Sequence, residues 1–168
     1  MRIAIIGYSG SGKSTAAQKL GEKYGIPVLH MDTVYWRKNW SQRPAEECRR
    51  IVNDFMESNT DWVIDGNYKK LYQTERFGRA DIILFFSFNR FKCLYNIVKR
   101  YIKYHGTSRP DIADGCNEKI DWEFIRWVLA DGRTVQKRKA YENMCKKYSN
   151  KVVILKTKRQ VDDFIKKL

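Results

Sequence analysis

The run Gly7-Tyr8-Ser9-Gly10-Ser11-Gly12-Lys13-Ser14-Thr15 combines the residue types that hold phosphate. It matches Gly-x-x-x-x-Gly-Lys-Ser at every fixed position. Its glycines let the backbone wrap closely round an anion and aim consecutive N–H groups inward. Lys13 would then reach the β- and γ-phosphates, the Ser14 hydroxyl would ligate Mg²⁺, and Thr15 would touch the α-phosphate. On this reading Gly7, Ser9, Gly10, Ser11, Gly12, Lys13, Ser14 and Thr15 form a nucleotide-binding loop.

Such a loop needs a carboxylate to organise the metal, and an acceptor needs a group to orient it. Asp32 and Asp65 each follow an apolar run, where a parallel sheet would place them beside the loop. Trp62-Val63-Ile64 drives straight into Asp65-Gly66, which assigns the magnesium role to Asp65 and leaves Asp32 for the acceptor. Arginines that close over phosphates stabilise developing charge. Arg100, at the end of a basic helix, Arg109, in the following loop, and Arg126 and Arg133 beyond it are the arginines to weigh, and position makes Arg100 and Arg109 the candidates. Trp36 and Trp40 follow Asp32 at successive four-residue steps and are read either as core or as a stacking surface for a base.

The positioning elements follow from pattern. A strand over Arg2 to Ile6 precedes the loop, and a helix to about Tyr24 follows it, stopped by Gly25-Ile26-Pro27. Val28 to Met31 predicts a second strand, running into Asp32. Pro44 with Glu46 and Glu47 starts a helix that turns Ile51, Val52, Phe55 and Met56 inward. Further strands are predicted at Trp62 to Ile64, Ile82 to Phe88 and Val152 to Leu155. Helices are predicted over about Arg90 to Tyr104, Trp122 to Ala130 and Thr134 to Tyr148, with a short one closing the chain. The polar stretch from about 105 to 121, with Gly106, Pro110 and Gly115, lacks periodicity and reads as a lid. Strands alternating with helices predict one α/β domain over 1–168 with a parallel sheet.

Composition narrows the functional classes. The 168 residues are 43% hydrophobic and 14% aromatic, which excludes a disordered chain. No apolar run approaches the roughly 18 residues of a membrane span, and the apolar start is too short for a secretory leader. Cys48, Cys93, Cys116 and Cys145 form no C-x-x-C pair, so reduced thiols and a cytoplasmic location are expected. The net charge is +14. Residues 1–88 hold 13 basic and 10 acidic side chains, and residues 89–168 hold 20 and 9, so the second half carries +11 of the excess. That field attracts polyanions, including nucleic acid, although Lys137-Arg138-Lys139 and Lys146-Lys147 read first as a solvated helix face.

Beyond the loop, the chain carries Leu29-His30-Met31-Asp32 with Trp36 and Trp40, and Trp62-Val63-Ile64-Asp65-Gly66-Asn67-Tyr68. Arg109-Pro110-Asp111, Gly115-Cys116 and Asp121-Trp122-Glu123-Phe124 follow. In these pieces the sequence resembles the DNA topology modulation proteins, an adenylate-kinase-like branch of the P-loop kinases. The resemblance implies a three-layer P-loop NTPase fold with five parallel strands in nucleotide-kinase order and a helical lid. It also implies ATP use and supports Asp32, Asp65, Arg100 and Arg109 as site residues. Similar kinases often carry an acid and then Pro-Arg after the fourth strand. Here Ser87-Phe88-Asn89-Arg90 keeps only the arginine, and Ser87 receives no role. The expected activity is an ATP- and Mg²⁺-dependent transfer of the γ-phosphoryl group to a small acceptor: a nucleoside, a nucleotide or a nucleic-acid end. The alternatives are a nucleotide-regulated DNA-associated protein and an ATPase switch without acceptor.

Overall fold

Strand β1 (Arg2–Gly7) buries Ile3, Ala4, Ile5 and Ile6 completely, as a central strand covered on both faces must. The structure, a computed structural model, describes residues 1–105, 111–113 and 115–168. β5 (Trp62–Asp65) and β6 (Ile82–Phe86) flank β1 in parallel and are buried almost throughout. β2 (Val28–His30) and β7 (Val152–Leu155) form the edges, giving the order β2-β5-β1-β6-β7. Numbered among themselves, the five sheet strands run 2-3-1-4-5. This is the expected α/β P-loop NTPase fold of nucleotide-kinase order.

Helix α1 (Lys13–Tyr24) leaves the loop after β1 and packs Ala16, Ala17 and Leu20 into the core. Gly25 ends it in the left-handed conformation, donating its N–H to the Gly21 carbonyl. Helix α3 (Ala45–Ser58) begins after Pro44 and buries Cys48, Val52 and Met56, with Ile51 and Phe55 packed against the core. Helices α5 (Arg90–Tyr104), α6 (Trp122–Leu129) and α7 (Val135–Lys147) stand close to their sequence-predicted bounds, and α8 (Lys158–Lys167) is the short helix expected at the end of the chain. Asn89, Asp121 and Thr134 cap α5, α6 and α7 by accepting backbone N–H bonds.

Four local expectations change. The second strand stops at His30, and Met31 opens a short helix, α2 (Met31–Tyr35). Met31 turns inward there because Gly66, at φ +133°, has no side chain: a Cβ would lie 2.5 Å from the Met31 Cβ. Asp32 therefore sits in the first turn of a helix rather than at a strand end. The fourth sheet strand ends at Phe86, two residues early, where Asn89 starts to cap α5. A hairpin, β3 (Trp36–Arg37) with β4 (Ser41–Gln42), follows α2, and a further helix, α4 (Gln73–Arg79), follows β5.

The hairpin meets the foot of the sequence-predicted lid. Asn39 N–H donates to the Gly115 carbonyl, the Trp40 indole to Asn117 and the Cys116 thiol to Arg37. His105 and Glu118 form an isolated bridge across the base of that segment. Residues 106–110 and 114, Arg109 among them, lie outside the described residues. Among the described residues no helix is long and apolar enough to cross a membrane.

Candidate active site

The carboxyl ends of β1, β2 and β5 bring the loop, His30 and Asp65 together. Registers pair Ile5 with Asp65 and His30 with Asp65, so these neighbours are fixed by strand pairing, although far apart in sequence. The Ser14 hydroxyl donates to Asp65 Oδ2 at 2.9 Å. His30 Nδ1 meets Asp65 Oδ1 at 2.5 Å. The two assigned magnesium groups are thus in contact, with a histidine on the second carboxylate oxygen.

The loop itself is an anion cradle. Gly7 lies against Phe86 so closely that a Cβ would stand 2.3 Å from the Phe86 carbonyl oxygen. Asn67 clamps Gly7 from the other side, accepting its N–H at 3.0 Å and donating to its carbonyl at 2.9 Å. Tyr8 N–H is taken by Phe86 and Ser11 N–H by Tyr8. Among the described residues no acceptor meets the N–H groups of Ser9, Gly10, Gly12, Lys13, Ser14 or Thr15. Three of these open α1, where the helix dipole adds positive potential. The buried Ser11 hydroxyl also lacks a partner.

Lys13 bends back so that its ammonium donates to the Tyr8 carbonyl at 3.1 Å. Part of its surface reaches the cleft, yet desolvation by the surrounding protein lowers its pKa, against the pull of Asp65 and Asp32. An ammonium desolvated in this way gains most when an anion arrives. These donors fit the phosphates of a nucleotide. The Ser14–Asp65 pair supplies the hard oxygen ligands, direct or through water, that suit Mg²⁺.

His30 is a further part of the site. Burial disfavours its charged form, but the hydrogen bond and charge of Asp65, with Asp111 and Asp32 beyond, outweigh it and raise the pKa above its ordinary value. A raised histidine pKa stabilises the fold fully below the unfolded value near 6.5, and that contribution is lost as pH rises through the folded value. The melting temperature of the magnesium-free protein is expected to fall over that window. His30→Gln keeps a donor without a charge and should flatten this part of the profile.

Asp32 lines the same cleft and accepts the Tyr68 hydroxyl at 2.6 Å. Burial, then Asp32, raises the Tyr68 pKa, so the phenol stays protonated as a donor. Arg100 also lines the cleft, and its Nε and guanidinium NH2 both approach Glu118 Oε1, at 2.8 and 2.7 Å. Thr15, Trp36 and Trp40 also line the cleft, the two indoles in edge-to-face contact at 5.6 Å.

Two supporting residues, Arg76 and Asn96, escape sequence reasoning, and a third, Arg133, is one of the arginines that follow the lid in the chain. Arg76 is completely buried and donates to the carbonyls of Leu71, Gly66 and Tyr68, each at 3.1 Å. Burial lowers its pKa to about 10, so it stays charged at neutral pH. It binds the turn that carries Gly66, Asn67 and Tyr68. Arg76→Ala would leave three carbonyls without donors, and a destabilisation of at least about 3 kcal/mol is expected in urea unfolding. Asn96 donates to the Gly10 carbonyl at 2.8 Å, tying α5 to the loop. Arg133 lies 3.7 Å over the Tyr8 ring and donates to the Cys93 sulfur, bracing the loop from the turn before α7. Arginines and an asparagine on polar-looking stretches give no periodic signal. Asn67 and Tyr68, like His30, stood in runs already singled out.

The sheet order and the loop after β1 define a P-loop NTPase fold. Across nearly its whole length the chain is structurally similar to an uncharacterized protein from Eubacterium ventriosum. That match has TM-score 0.53 and 18% identity, and it covers 99% of this chain and 98% of the other. It is also similar to shikimate kinase from Bacteroides thetaiotaomicron, with TM-score 0.52, 16% identity and coverage of 99% and 95%. At such identities the likeness concerns the fold. No protein-family model and no curated protein sequence matches the chain.

Proposed function

We propose that this protein is an ATP- and Mg²⁺-dependent phosphotransferase whose acceptor is a nucleoside, a nucleotide or a nucleic-acid end. One observation carries the reading: in the loop that lines the cleft, six N–H groups have no acceptor among the described residues, and they stand with the desolvated Lys13 beside the Ser14–Asp65 pair. The resemblance to the DNA topology modulation branch of the P-loop kinases belongs to the same reading.

The loop N–H groups and Lys13 would hold the donor phosphates, and Ser14 and Asp65 would hold Mg²⁺. When bound, the metal neutralises charge on the β- and γ-phosphates. The acceptor oxygen attacks the γ-phosphorus, a P–O bond forms, the bond to the β-γ bridging oxygen breaks, and ADP leaves. Asp32, oriented by Tyr68, is the carboxylate assigned to take the acceptor proton. Arg100, and Arg109 from the lid, are assigned to the charge that develops in the transition state.

The test is ADP release with ATP and Mg²⁺ across nucleosides, nucleoside monophosphates and 5′-hydroxyl oligonucleotides, beside a reaction without acceptor. Acceptor-dependent turnover is expected. Release no faster than in water alone, for every acceptor, would favour an ATPase switch instead.

A further inference from the structure

Helix α5 carries Arg90, Lys92, Lys99, Arg100 and Lys103 and no acidic residue. Arg100 is held by Glu118. Among the described residues no carboxylate pairs with Lys92, Lys99 or Lys103. Lys99 and Lys103, both exposed, stand four residues apart, a spacing at which like charges destabilise a helix. A solvated face ordinarily mixes signs. Lys92, Lys99 and Lys103 keep a single sign without a carboxylate partner among the described residues.

The face does not look away from the site. Lys92, Tyr95, Lys99 and Lys103 line the same cleft as the phosphate loop, about 1540 Å³ in volume, larger than a typical small-ligand pocket. Asn96, on the same helix face, bonds to the loop itself. Tyr95 is 58% exposed, and Lys92 lies 4.6 Å from its centroid. Trp36 and Trp40 line the same cleft, with the Lys119 ammonium 5.8 Å from the Trp40 ring. From Lys92 to Lys103 the helix rises about 16 Å. A row of cations beside aromatic faces is the chemistry that holds single strands, with phosphates on the lysines and unpaired bases stacked on rings.

We propose that the acceptor arm of this cleft takes a single-stranded oligonucleotide, tracked by Lys92, Lys99 and Lys103 and stacked on Trp36 and Trp40, with its terminal hydroxyl at the phosphate loop. This rests on the phosphotransferase reading for the reaction but not for the binding. The 5′-hydroxyl oxygen bonds to the γ-phosphorus of ATP, the bond from that phosphorus to the β-γ bridging oxygen breaks, and the hydroxyl proton passes to Asp32, giving a 5′-phosphorylated strand and ADP. An anionic lipid surface is the competing partner, because Phe91, Val98 and Ile102 are also exposed on α5. Those three lie outside the cleft lining, whereas the lysines lie within it.

The probe is 5′-hydroxyl octathymidylate labelled at its 3′ end, followed by fluorescence anisotropy between 50 and 200 mM salt. Three phosphate contacts on a single strand predict a weakening of about 20-fold over that range. Lys99→Ala with Lys103→Ala should lower the affinity and make its salt dependence shallower. Lys146→Ala with Lys147→Ala removes equal charge from α7 and should change little. Equal losses in the two double variants, or no binding at 50 mM salt, would overturn the tract. So would binding to phosphatidylserine vesicles, sensitive to Lys99 and Lys103, by a protein that ignores the oligonucleotide. Phosphoryl transfer to the octamer and to thymidine separates the two claims. Octamer binding without transfer keeps the tract and removes the kinase. Thymidine phosphorylation without octamer binding does the reverse.

Discussion

Lys13→Ala is expected to lower kcat/KM for phosphoryl transfer by two to three orders of magnitude while leaving the melting temperature unchanged or slightly raised. The two effects have one origin. Protein around Lys13 strips water from its ammonium and lowers its pKa, which costs the fold and favours the bound phosphates. Its recorded hydrogen bond is to one carbonyl, that of Tyr8, which already receives the Ser11 N–H. Removing the ammonium therefore relieves a desolvated charge in the free protein. It also withdraws a preorganised donor from the transferring group, a loss worth about 10²–10³ in rate for a comparable donor. Lys13→Arg should not rescue, because a planar fork cannot take the place of a point charge in this loop. ADP release and thermal denaturation of the same preparations check both halves. A melting temperature that falls along with activity would mean that Lys13 supports the fold instead.

Legibility in the sequence followed the range over which residues interact. The strand, loop and first helix were readable because apolar run, glycines and amphipathic spacing lie side by side in the chain. Asp65 was readable for the same reason, as the end of a short apolar run. Its partner His30 was not, since only the register of β2 against β5 makes them neighbours. The Asn67 clamp on Gly7 spans 60 residues and leaves no local trace. The Trp36–Gln42 hairpin has two-residue strands and left-handed backbone at Asn39 and Trp40, positions where no glycine announces a turn. Helix α2 has five residues, shorter than any window in which periodicity shows. Arg76 runs against the rule that charged residues stay outside, and its three carbonyl partners are what allow the exception. The site's chemistry was local, and its scaffolding was not.

Asp65→Asn should separate metal organisation from phosphate binding. The carboxylate holds Ser14 on one oxygen and His30 on the other, so an amide can reproduce at most one of these contacts without its charge. A half-saturating Mg²⁺ concentration raised by about 10–100-fold is expected, the range found when a partner that orients a metal site is lost. Activity at fixed, low Mg²⁺ should fall by a similar factor and recover in part as Mg²⁺ is raised. Lys13→Ala should show no such recovery, because its loss lies in the phosphate contact. The variant also removes the charge that raises the His30 pKa, so its melting temperature should lose the same pH-dependent component that His30→Gln loses. Titrating Mg²⁺ at saturating ATP and acceptor gives the first result, and melting curves across pH give the second. An unchanged Mg²⁺ requirement would move the metal role away from Asp65 while leaving the phosphate loop assigned.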